Sequence, residues 1–86
     1  MTTSSPWFVY ILSCHDNSLY TGITTDLERR LTEHNETNKG ARYTRARRPV
    51  KLVYSEPALD RSAASKREAQ LKSLPIHKKR ALIQTN

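Results

Sequence analysis

A small domain of the α/β class, in its α+β form, is the fold this 86-residue chain predicts: a three-stranded antiparallel sheet flanked by helices, in the order β-β-α-β-α-α. Three observations predict it. Two short β-prone runs, Trp7–Ser13 and Ser18–Thr24, are separated only by turn residues. An amphipathic period follows at once from Leu27. A third alternating run, Val50–Glu56, lies between Pro49 and Pro57 and precedes a second helical stretch.

The elements follow in order. Residues 1–6 are polar, end in Pro6 and are expected to be a flexible leader, leaving 7–84 as one domain. WFVYILS is apolar on both faces, as suits a central strand. His15-Asp16-Asn17 is turn chemistry, and Asn17 tolerates the left-handed conformation. A three-residue loop there pairs Cys14 with Ser18, Leu12 with Tyr20 and Tyr10 with Gly22. Tyr10 and Tyr20 then share a face, whereas a shift of one residue would put them on opposite faces. Gly22 opposite Tyr10 leaves a space where a side chain would stand.

Thr25 with Glu28 has the spacing of a capping box and starts a helix to about Glu36. On it Leu27, Arg30, Leu31 and His34 fall in one arc of about 100°, with Arg29 elsewhere. Asp60 or Ser62 can cap the next helix, which runs to about Ser73. There Ala64, Arg67, Glu68 and Leu71 share a face, so Glu68 stands within an apolar stripe. A carboxylate so placed needs a cation, whether a neighbouring Lys or Arg or a metal. Pro75 opens a last short helix, PIHKKRALI, with Ile76 and Ile83 directed inward.

Charge narrows the partner. Lys plus Arg number 15 against 8 acids, a net +7, which suits a polyanion such as nucleic acid. No acid occurs from Thr37 to Ser55, while Lys39, Arg42, Arg45, Arg47 and Arg48 surround Tyr43. Cations interleaved with an aromatic suit phosphate contact and base stacking, and part of this segment can form a short helix. The lone Cys14 excludes an intrachain disulfide and a multi-thiolate zinc site. No stretch reads as a signal peptide or membrane span, so a cytoplasmic protein is expected.

Five motifs in this order resemble the GIY-YIG nuclease superfamily, in particular small single-domain bacterial proteins related to the nuclease subunit of structure-specific resolvases. They are Val9-Tyr10-Ile11-Leu12; Tyr20-Thr21-Gly22; Asp26 to Leu31 with His34-Asn35; Lys39-Gly40-Ala41-Arg42-Tyr43-Thr44; and Arg67 to Lys72. The resemblance spans about Trp7 to Ile83. It implies endonucleolytic cleavage of DNA with Mg²⁺ or Mn²⁺, leaving a 5′-phosphate and a 3′-hydroxyl, in repair or recombination. Tyr10 and Tyr20 match the two motif tyrosines, Arg30 the family arginine, Glu68 the metal-binding glutamate, and His34 a histidine of many members. Tyr10 is then the expected general base, Tyr20 its orienting partner and Arg30 the phosphate clamp, with Gly22 structural between the tyrosines. Arg30 and the metal are expected to favour a Tyr10 phenolate. Lys72 joins Lys39, Arg42, Tyr43, Arg45, Arg47 and Arg48 as the expected DNA contacts. Phe8, Val9 and Thr21 depart from the motif, and Ile23 replaces a lysine that some members carry. Single-stranded or branched DNA is expected over plain duplex. A binding module without catalysis, or a subunit needing a protein partner or a second copy, is the alternative.

Overall fold

The computed structural model describes residues 6–84. Apart from Pro6, the expected leader lies outside the described residues. Seven elements follow: β1 (Trp7–Ser13), β2 (Leu19–Thr24), α1 (Leu27–Glu36), α2 (Arg42–Arg45), β3 (Lys51–Ala58), α3 (Arg61–Ser73) and α4 (Ile76–Gln84). The sheet is antiparallel in the order β2-β1-β3. The one-turn helix α2 is the element missing from the order expected above, and it lies within the basic segment.

β1 is central, and its alternation divides the core in two. Val9 and Ile11 pack with Ala64 and Leu71 of α3 on one face of the sheet. Tyr10, Leu12 and Cys14 pack with Val50 and with Leu27 and Leu31 of α1 on the other. The hairpin takes the three-residue form. The Cys14 N–H donates to the Ser18 carbonyl at 2.9 Å, and Asn17 has φ 69°. Tyr10 therefore faces Gly22 and Leu12 faces Tyr20.

Some boundaries and contacts differ from expectation. The N-cap of α1 is Asp26, not Thr25: its carboxylate accepts from the Arg29 N–H at 3.0 Å, while Thr24 Oγ1 accepts from Asp26 N–H at 3.1 Å. Aspartate is at least as good a cap as threonine, and here the preceding turn turns its side chain onto the helix. β3 continues through Pro57 to Ala58, because an edge strand tolerates a missing donor. A bulge in it between the partners of Ile11 and Leu12 pairs Ile11 with Tyr54 but Leu12 with Leu52. In α4, Ile83 packs against the core, but Ile76 is half exposed at the first turn, before the helix reaches the core. Asp60 caps α3, accepting from Ala63 N–H at 2.8 Å.

Candidate active site

Tyr10 leaves the central strand toward α1, and its ring fills the space above Gly22. A Cβ at Gly22 would lie 2.4 Å from the Tyr10 hydroxyl, so any side chain there displaces the phenol. Across this space the hydroxyl meets His34 Nε2 at 2.9 Å. His34 is fully buried, one helical turn beyond Arg30. Its other nitrogen, Nδ1, lies 2.8 Å from the hydroxyl of Thr44, which is also fully buried, in α2. The chain can bring Thr44 this close only because Gly40 lies flat on α1. A Cβ on Gly40 would stand 2.7 Å from the Glu33 carbonyl oxygen and from His34 Cα.

Aromatic rings extend the cluster outward. The edge contacts of His34 with Tyr10 and Tyr20 have centroid separations of 5.9 and 5.3 Å. Tyr20 stacks on Tyr43 at 6.0 Å with 26° between the rings. The Arg47 guanidinium also lies over the Tyr43 ring, 3.9 Å from its centroid. Tyr43 therefore carries both a ring and a guanidinium contact while remaining exposed. Arg47 is held there by Asp16 Oδ2 at 3.1 Å and by the Tyr43 carbonyl at 3.0 Å.

Arg30 stands at the edge of the buried stripe. Its Nη1 donates to Glu33 Oε1 at 2.8 Å and to the Lys39 carbonyl at 3.0 Å. Burial pushes the Tyr10 phenol up to about 12; the adjacent Arg30 pulls against this and does not reverse it. Arg30 thus favours the phenolate, as expected, but burial outweighs it, and the protein by itself keeps Tyr10 protonated at neutral pH. Burial, reinforced by the positive charge of Arg30, pushes His34 down to about 4, so its imidazole is neutral. A protonated phenol hydrogen-bonded to a neutral imidazole is the resting arrangement.

Tyr10, Tyr20, Arg30 and His34 thus come together. Glu68 is not among them: its helix packs on the other face of the sheet from Tyr10 and α1. It lies on α3, its side chain 23% exposed, and forms an ion pair with Lys72 Nζ at 3.3 Å. Its charge is felt at the Tyr10 phenol as the smallest of the influences there. Among the described residues no group of three or more His, Cys, Asp or Glu side chains converges on one point. A lone, partly exposed carboxylate suits a hard divalent ion that keeps most of its waters.

The basic segment divides. Lys39, Arg42 and Arg45 are exposed and make no ion pair among the described residues. Arg48 does not belong with them. Its guanidinium donates to the carbonyls of His34 at 2.6 Å, of Glu33 at 3.4 Å and of Thr37. It closes the C-terminal end of α1, where unpaired carbonyls attract a cation, so its guanidinium is engaged within the fold. Thr44, Glu33 and Asn35 were not singled out from sequence. Asn35 pairs both ways with Val50, accepting at 2.8 Å and donating at 3.0 Å, and so docks β3 on α1. Only the motif segments that contain Thr44 and Asn35 pointed toward them.

Comparison with known proteins bears on the family and the fold. The model of the GIY-YIG catalytic domain matches residues 6–80. A UPF0213 protein of Desulfotalea psychrophila is 58% identical over 99% of this chain and 77% of its own length. One from Syntrophus aciditrophicus is 51% identical over 92% of this chain and 91% of its own. Among solved structures, a UPF0213 protein of Bacillus halodurans superposes with TM-score 0.60 at 41% identity, covering 94% of this chain and 85% of that one. A protein of E. faecalis superposes with TM-score 0.61 at 43% identity, covering 99% and 91%.

Proposed function

Because this chain belongs to the family of GIY-YIG catalytic domains, we propose that it is an endonuclease hydrolysing DNA phosphodiester bonds with the aid of a divalent metal, Mg²⁺ or Mn²⁺. The observation that carries the reading is the Tyr10 hydroxyl on His34 Nε2 at 2.9 Å, with Arg30 beside the phenol. Tyr10 is the general base. Its oxygen takes a proton from the attacking water while its own proton moves to His34, so no free phenolate has to form. The step starts from a protonated phenol and a neutral imidazole, each held so chiefly by burial.

Arg30 clamps the non-bridging phosphate oxygens, where charge accumulates as water adds. Tyr20 packs on His34 and orients it. Glu68 would hold the metal, and Lys72 must then swing aside. Bound there, the ion supplies Lewis-acid neutralisation of the phosphate and of the leaving oxygen.

Lys39, Arg42 and Arg45 receive the DNA backbone, and Arg47 on Tyr43 offers a planar cation for a base to stack on. The domain is too small for long sequence readout, which favours single-stranded or branched DNA over plain duplex.

The test is a cleavage panel of labelled single-stranded, flap, branched and duplex DNA, with Mg²⁺ and with chelator. Chelator-sensitive cutting is expected, lost in Glu68→Ala and in Tyr10→Phe. Arg30→Ala is expected to lose at least tenfold, about 1.4 kcal/mol. Binding without cutting would reduce the protein to a nucleic-acid-binding module. Full activity in Glu68→Ala would remove the metal assignment.

A further inference from the structure

A neutral imidazole carries one proton, and the hydrogen bonds around His34 decide which nitrogen holds it. Thr44 also has one hydroxyl proton. That proton goes to the Ala41 carbonyl, 2.9 Å away in the same turn. The Thr44 oxygen is then an acceptor 2.8 Å from His34 Nδ1. Nδ1 is accordingly the protonated nitrogen, and Nε2 turns a lone pair toward the Tyr10 hydroxyl at 2.9 Å. The Ala41 N–H also faces Nδ1 and favours the opposite tautomer, but at 3.4 Å it is the longest of these contacts.

We propose that Thr44 is a positioning residue that selects the Nδ1–H tautomer of His34, leaving Nε2 able to take the Tyr10 proton. The proposal rests on the reading of Tyr10 as the base. In the opposite tautomer an Nε2–H would point at the phenol oxygen, and the phenol proton would have no acceptor on His34. In the selected tautomer the step balances. A water O–H bond breaks and its proton bonds to the Tyr10 oxygen. The Tyr10 O–H bond breaks and its proton bonds to Nε2. The water oxygen bonds to phosphorus, the bond from phosphorus to the 3′-oxygen breaks, and that oxygen takes a proton from solvent. The imidazolium keeps its Nδ1–H on Thr44 throughout.

The test reads the tautomer directly, from the imidazole ¹⁵N shifts of His34 in the full chain at neutral pH without DNA. The wild type is expected to show Nδ1 protonated and Nε2 bare. Thr44→Val keeps the shape but removes the acceptor, leaving the Ala41 N–H as the group facing Nδ1, and is expected to move the proton to Nε2. Thr44→Ser is expected to restore the wild-type pattern. A wild type protonated at Nε2 overturns the proposal even if Thr44→Val does not fold, and so does a folded Thr44→Val that keeps its proton on Nδ1. With Mg²⁺ and an end-labelled single-stranded oligonucleotide, Thr44→Val is expected to lose at least tenfold in kcat at unchanged KM, with Thr44→Ser active. An undiminished kcat in Thr44→Val also overturns it. If no DNA is cut by any form, the endonuclease reading fails, and the spectra still decide the tautomer.

Discussion

Tyr10 and Gly22 face each other across two strands, and the phenol occupies the volume that a side chain at Gly22 would need. Gly22→Ala puts a methyl 2.4 Å from the hydroxyl. The expected result is a loss of about 1–3 kcal/mol by overpacking, seen in thermal melts, with Tyr10 pushed off His34 and cleavage falling at least tenfold. His34 supplies a second prediction at this scale. Its folded pKa, about 4, is depressed from an ordinary 6.5. Between these values the unfolded chain binds the proton and the folded chain does not, so stability is fully present above about pH 6.5 and falls as pH drops toward 4. The slope reaches at most about 1.4 kcal/mol per pH unit. Urea melts from pH 7 to pH 4.5 should show it, and His34→Gln should remove it. Glu33 and Asp16, whose carboxyls are held low by Arg30 and by Ser18, lose their contributions only further into acid.

The helices show how charge is used within elements. Arg48 is anchored to the last turn of α1, the helix that carries both Arg30 and His34. Arg48→Met is expected to cost about 1.5–3 kcal/mol, the range for hydrogen bonds to a charged group. The intrinsic affinity of the folded fraction for DNA should be unchanged, which separate melts and anisotropy titrations will distinguish. On α3 the pair Glu68–Lys72 has the favourable spacing and orientation, acid four residues before base. It also keeps a cation on the carboxylate proposed for the metal. Lys72→Met should tighten Mn²⁺ binding, read by electron paramagnetic resonance, by up to about fivefold, since a half-exposed pair contributes no more than about 1 kcal/mol. Unchanged Mn²⁺ affinity would mean the two cations do not compete.

Over the whole molecule, a net charge of +7 sets long-range attraction for a polyanion, and the tertiary structure sorts which cations remain for contact. Arg47 and Arg80 both hold the β1–β2 turn, through Asp16 and through the Asn17 carbonyl at 2.8 Å. Arg42 and Arg45 are left exposed. Arg42→Ala and Arg45→Ala are each expected to weaken DNA binding across all sequences and to reduce the salt slope by about 1. Titrations at several salt concentrations check this. Among the described residues no helix is long and apolar enough to cross a membrane.

Periodicity and turn chemistry are local, and they settled much of this protein before any coordinates. Short β-prone runs bounded by turn residues and prolines set the three strands. Asn17, with its tolerance for positive φ, set the hairpin register and with it the shared face of Tyr10 and Tyr20. The arc of Leu27, Arg30, Leu31 and His34 set the buried stripe of α1. Contacts between distant segments followed no such local rule. Arg48 and Arg42 look alike in sequence, yet one faces helix carbonyls and the other solvent, because only packing decides which guanidinium meets a buried acceptor. Thr44 reads as one more polar residue among charges until Gly40 lets its turn lie on α1. The direction of the Tyr10 proton was equally hidden, since it depends on burial and on a hydroxyl 34 residues away, quantities that exist only once the chain has folded.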